Sequence, residues 1–333
     1  MAPIYNRGGT CKPRFYVAFI ATALSVLVAM LSVYSRFTDA GFDCSERLDC
    51  DNGFFTITKQ SSAFAHYFSA VGWAELAHQL SLFILLCLVI WLAVSSWALR
   101  KDCNYSLKLP VFILFLVLWQ LMFGMWFINL VLWPQIALIN FLSGMAICAL
   151  LWLLALRLDG KYWEVSKKNV HKLGQIKPWV ILAIIIILIE IALGGWTRVK
   201  FAAFACPDFP LCQNKWWPEM SLKRGFDLIQ PFGIEALESK SRVAINVIHR
   251  VGALITTIYL LGLAAFLLTI RDHRVQRMGL ILCIILIGQL VFVVTAGYVR
   301  DSVFSSIVHN FGSILILLVL ISLVSRVVSA KQK

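Results

Sequence analysis

The sequence predicts an all-α integral membrane protein, with eight transmembrane helices arranged as two pseudo-symmetric four-helix bundles. Three observations carry that expectation. The 333 residues are 60% hydrophobic and only 14% charged, with a mean hydropathy of +0.82, too apolar for a soluble chain of this length. Eight apolar runs each reach the roughly 20 helical residues that cross a bilayer. Features of the first half also recur in the second at matching intervals.

The runs fall at 15–35, 74–98, 109–131, 134–156, 177–197, 243–269, 276–298 and 303–325. Unpaired backbone groups are too costly in lipid for open strands, so each run is predicted helical. The first is too long for a signal-peptide core and no small-residue cleavage pattern follows it, so it is expected to stay as a span. The third and fourth runs nearly abut, as do the seventh and eighth, so those connections are short. The repeat divides the chain into an amino-terminal half, 1–160, with a long loop at 36–73, and a carboxy-terminal half, 161–333, with a long loop at 198–242.

Charge sets the orientation. With both termini in the cytoplasm, that side collects 18 of the 30 Lys and Arg but only 4 of the 17 Asp and Glu, which satisfies the positive-inside rule. The net charge of +13 is therefore read as topology and contact with anionic membrane lipid, with no nucleic-acid partner.

Both long loops then face outward, where thiols oxidise. They read "RFTDAGFDCSERLDC" at 36–50 and "RVKFAAFACPDFPLC" at 198–212, matching at Arg36 and Arg198 and at Cys44, Cys50, Cys206 and Cys212. Local disulfides, 44 to 50 and 206 to 212, are preferred over cross-loop pairs or free thiols. They are read as loop staples in preference to pairs that exchange electrons with a thiol carrier, because spacing does not reveal a redox potential.

Within the helices the repeat aligns polar residues. Gln120 in "LWQLMFG" matches Gln289 in "IGQLVFV", and His78 in "AELAHQLSL" matches His249 in "INVIHRVGA". Asn140 in "PQIALINFLSG" stands where His309 in "SSIVHNFGS" stands in the other half; His78 precedes Asn140 by 62 residues and His249 precedes His309 by 60. One intramembrane histidine alone is most often a hydrogen-bonded core residue. Two at similar depth, on the second and fourth helices of one bundle, suit the opposite faces of a haem iron. Zinc or copper would need further ligands, which do not converge nearby. Arg250 is a partner for a haem propionate or, equally, an interfacial snorkelling residue.

Other ionisable groups are less informative. Glu190 in "ILIEIALGG" is expected to meet a polar partner across the bundle. His171 and His273 lie among basic loop residues and read as solvated, and Gly194 with Gly195 reads as a close-packing pair.

Together "RVKFAAFACPDFPLC", "HRVGA" at 249–253, "HNFGS" at 309–313, Glu75 three residues before His78 and the repeat of four helices resemble the heme A synthase family, over residues 15–325. The resemblance is strongest in the carboxy-terminal half. In the other half "DCSERLDC" lacks prolines, Gln79 stands where the family usually has arginine, and Asn140 stands where it usually has histidine. Such membership implies oxidation of the C8 methyl of heme O to a formyl group, by two hydroxylations and loss of water from a gem-diol, in supply of cytochrome oxidase. It implies haem b between His249 and His309, and heme O as substrate in the amino-terminal half near His78.

Glu75 would match the family's catalytic glutamate, one turn before His78 on the same helix face. Its role would be proton handling or stabilisation of a cationic intermediate, against the plainer reading of a first-turn carboxylate favoured by the helix dipole. Asn140 leaves three outcomes: a five-coordinate substrate haem on His78, recruitment of His66, or a half that has lost the reaction. Heme O synthase and an electron donor are the partners implied, a homo-oligomer is left open, and the location implied is the bacterial cytoplasmic (inner) membrane. The competing classes are a haem-carrying electron-transfer protein without oxygenase activity and a thiol oxidoreductase using the outer cysteines. No nucleotide-binding motif is present.

Overall fold

The computed structural model describes residues 12–39, 70–98, 107–127, 134–161, 163–227, 239–299 and 302–332. Cys44, Cys50 and His66 lie outside them. The described chain is helical apart from one short parallel pair and the 200–227 loop. Its long helices are α1 (Lys12–Asp39), α2 (Ala70–Ala98), α3 (Lys108–Phe127), α4 (Pro134–Asp159) and α5 (Lys167–Val199). After the one-turn α6 (Leu222–Gly225) come α7 (Ser239–Leu268), α8 (His273–Val299) and α9 (Ser302–Ser329).

Each long helix falls on one predicted run; most extend it by a few residues, because the backbone stays intramolecularly paired past the edge of the apolar stretch, whereas α7 ends at Leu268, one residue short of its run, and α3 is described only to Phe127, four short. Pro134 opens α4, where its missing N–H costs nothing. Seven of the helices are long and apolar enough to cross a membrane; in α3 the apolar portion found is shorter, Lys108–Met122. Their outer faces carry exposed large apolar residues, among them Phe83, Leu118, Ile185, Leu254, Ile258 and Ile284. Apolar rows of this kind are tolerable against lipid and not against water.

Inward-facing residues form two large clusters. Ala18, Val28, Leu85, Val89, Ile113 and Leu151 build one among α1 to α4. Leu173, Ile187, Leu260, Leu282, Leu317 and Leu320 build the other among α5, α7, α8 and α9, joined by Met145 and Leu156 of α4. Accordingly α1 packs on α2 and α4, α3 on both of these, and α7 on α5 and α8, while α9 contacts α5 and α8.

Contacts of α4 with α5 and α9, and of α1 with α9, join the two sets. Trp152 of α4 packs against both clusters and donates its indole N–H to Leu318 O at 3.1 Å and Ser322 Oγ at 2.7 Å. Arg198 at the end of α5 donates to Val33 O of α1 at 2.8 Å. The connection between the sets is also tied down, since β1 (Glu164–Val165) pairs in parallel with β2 (Lys331–Gln332), and Arg326 pairs with Asp159 at 3.2 Å.

The two consecutive glycines of α5 serve different neighbours. A Cβ at Gly195 would lie 2.7 Å from Leu138 Cδ1 and 2.9 Å from Phe141 Cδ1 of α4, whereas one at Gly194 would lie 3.2 Å from Cε1 of His249 on α7. Close packing, the expected use of this pair, is what both provide.

Candidate functional site

His249 and His309, from α7 and α9, face each other inside the carboxy-terminal set with ring centres 6.2 Å apart and planes at 88°. Metal–imidazole bonds are about 2 Å long, which with the ring radii puts two ligating rings roughly 6 Å centre to centre. The pair therefore fits the axial positions of a haem iron. Among the described residues no third His, Cys, Asp or Glu joins it in a metal-holding cluster.

Each ring is backed at Nδ1. For His249 the neighbour is Glu190 of α5, with Oε1 2.7 Å from Nδ1, a close contact in which neither group makes an aligned hydrogen bond. For His309 it is Gln289 of α8, whose Nε2 lies 2.8 Å from Nδ1 and donates to His309 O at 2.8 Å. Backing at Nδ1 orients an imidazole and leaves Nε2 for a ligand. Glu190 thus has the polar partner the sequence led one to expect. Gln289 was legible only as a marker of the repeat, since nothing local to it in sequence reports contact with α9.

Arg250 is turned to the 200–227 loop. Nη1 donates to Asp208 O at 3.0 Å and Leu211 O at 2.8 Å, and Nη2 donates to Cys206 O at 3.0 Å. Asn246, one turn earlier, donates to Ala202 O and Ala203 O at 2.9 and 3.0 Å. The loop is closed by a Cys206–Cys212 disulfide, the local pairing expected. Asp208 holds it further by accepting from the main-chain N–H of Gln213 and Asn214, each at 2.7 Å, both residues having positive φ.

Those backbone donors, that of Asn214 first, hold the Asp208 carboxyl below its ordinary range. A depressed folded pKa contributes stability above the ordinary value that is lost as pH falls through the depressed one, so the loop is expected to loosen only in acid. Replacing both Cys206 and Cys212 by serine should cost about 2 kcal/mol of stability by loop entropy. Thermal unfolding checks this, and peptide mapping without reductant should show 206 joined to 212.

In the amino-terminal set, Glu75 and His78 are both half-buried on α2. Gln79 Nε2 donates to Glu75 Oε1 at 2.7 Å. Because α2 begins at Ala70, Glu75 is beyond the first turn, which removes the helix-dipole reading of this carboxylate. Asn140 lines a cavity with Ser25, Ser32, Gln120, Phe141 and Gly144, and its Oδ1 is buried without a hydrogen-bond partner. His78 is not among the described lining residues of that cavity. His171 and His273 are exposed, as expected of solvated loop-end residues.

Fold and site define a helical membrane protein whose half-buried imidazole pair is suited to gripping one haem. The sequence matches the cytochrome oxidase assembly protein family COX15-CtaA over residues 15–321. The chain belongs to that family, whose members are oxidoreductase enzymes. It is similar to the heme A synthase of Shewanella oneidensis, 28% identical over 322 residues that cover 91% of this chain and 93% of that protein. The heme A synthase of Shouchella clausii is 24% identical over 224 residues, 65% of this chain and 66% of its own length.

Proposed function

We propose that this chain is a heme A synthase, oxidising the C8 methyl of heme O to a formyl group through two hydroxylations and loss of water. The observation that carries the reading is the facing His249 and His309 pair in a chain of this family. The chain would form eight spans in two pseudo-symmetric halves, 1–160 and 161–333, in the bacterial inner membrane with both termini cytoplasmic. The separate clusters of the two helix sets support the division.

Bound haem supplies the iron redox chemistry. His249 and His309 would hold haem b through Nε2, each turned by its neighbour at Nδ1. In the other half His78 would orient heme O, and a Glu75 carboxylate oxygen would take up or return a proton at the reacting methyl. Gln79 already fixes Oε1 of that carboxylate. Arg250 would serve haem b by holding the loop above it, with its remaining N–H groups directed to a propionate. Cys44 and Cys50 would close the equivalent loop. Heme O synthase and an electron donor are the partners this chemistry needs.

A second reading, a haem-carrying electron-transfer protein without oxygenase activity, is favoured by one observation: Asn140, with its unpartnered oxygen, occupies the position of a ligating histidine. Chromatography and mass analysis of haems extracted after co-production with a heme O source separate the two. Heme A or its hydroxymethyl intermediate is expected. Unchanged heme O in a folded, haem-loaded preparation selects the second reading.

A further inference from the structure

We propose that Glu190 is a positioning residue for the His249 imidazole, and that it makes the two axial ligands of the carboxy-terminal haem chemically unequal. This rests on the ligand reading above. Glu190 is only 9% exposed on α5, well inside an apolar span. Among the described residues its polar contact is Nδ1 of His249, and neither carboxylate oxygen has an aligned hydrogen bond. A carboxylate in such a place is costly, and an apolar residue would pack the α5–α7 contact at lower cost. Packing alone therefore does not account for it.

The surroundings are shaped for this contact from both sides. Gly194, one turn beyond Glu190 on α5, leaves room for the imidazole, since a Cβ there would stand 3.2 Å from His249 Cε1. Gly252, one turn beyond His249 on α7, leaves room for the carboxylate, since a Cβ there would overlap Glu190 Oε2. Each helix thus gives up a side chain where the other places its polar group.

The His309 side has no equivalent charge. Gln289 is fixed by donating to His309 O, so it presents a neutral amide N–H to Nδ1. Ligation through Nε2 leaves the proton on Nδ1 of each ring, so His249 turns that N–H toward a charged carboxylate, while His309 has only a neutral amide beside it. The 2.7 Å contact places Glu190 to accept from Nδ1–H once haem ligation aligns the ring, and a carboxylate accepting there raises the basicity of the ligating nitrogen. The more basic, negatively backed imidazole favours ferric over ferrous iron, so Glu190 holds the haem potential down.

The test is potentiometric titration of the low-spin haem in purified, haem-loaded, full-length protein. Glu190→Gln should raise the midpoint potential by on the order of 60 mV, the one-electron equivalent of a tenfold change in preference for ferric iron. Gly252→Ala displaces the carboxylate without removing its charge, and should shift the potential in the same direction, which keeps the test open if Glu190→Gln fails to fold. Weaker haem retention in Glu190→Gln, by about 10- to 100-fold, with recovery in Glu190→Asp, also supports the proposal. An unchanged potential in Glu190→Gln or, should that variant not fold, in Gly252→Ala reduces Glu190 to a packing residue and overturns it. A wild-type protein with no low-spin haem overturns the ligand reading itself, an outcome distinguishable from failure of the Glu190 role alone.

Discussion

His309→Ala is expected to abolish most of the six-coordinate low-spin haem signal of the purified protein. Two neutral imidazoles on one iron give that spectrum, and the facing pair on α7 and α9 fits those two positions. The alanine removes one ligand together with the anchor made to it by Gln289. Loss of a residue that merely supports a ligand costs about 10- to 100-fold in metal affinity, and loss of the ligand itself should cost more. The exposed His171 supplies the control, and His171→Ala should leave the spectrum unchanged. A low-spin spectrum that survives in His309→Ala means that a different histidine pair holds the iron.

Glu75→Gln should strongly reduce conversion of heme O while leaving haem b at its wild-type amount. Glutamine keeps the shape of the side chain and its place beside Gln79 but cannot take up or return a proton. General acid–base groups contribute about 10²- to 10⁴-fold to rate, so product should fall by a factor in that range. Haem b is expected to stay because Glu75 lies on α2, outside the helix set that carries His249 and His309. Extraction and chromatography of both haems report the two quantities together. Undiminished heme A from a Glu75→Gln preparation would deprive this carboxylate of any part in the chemistry.

The parts legible in the sequence were those that follow from periodicity and solvent. Apolar run length located each long helix among the described residues, because a span must satisfy its own backbone in lipid. The expected outward setting and six-residue separation of Cys206 and Cys212 anticipated their bond. His249 with His309 stood out because polar residues in such runs are costly.

What the sequence did not disclose depends on which helix faces which. Glu190 was expected to meet some polar group, but its partner could be identified only once α5 was packed on α7. Gln289 carries no local sign that it reaches His309. Arg250 was read as a propionate partner or a snorkelling residue, and the structure spends three of its hydrogen bonds on loop carbonyls. Pairing of 164–165 with 331–332 joins residues too distant in sequence, and too few, to leave any pattern.

The glycine pair of α5 has one more implication. Asn140 borders the amino-terminal cavity, its neighbour Phe141 presses on Gly195, and the adjacent Gly194 faces His249. Two side-chain contacts and two covalent links thus connect the centre of one half with the centre of the other. Adjacent positions on one turn of α5 therefore face α4 on one side and α7 on the other. A side chain added at position 195 presses on Phe141, next to Asn140, and one added at 194 presses on His249, so moving a substitution by a single residue along α5 changes which centre it disturbs.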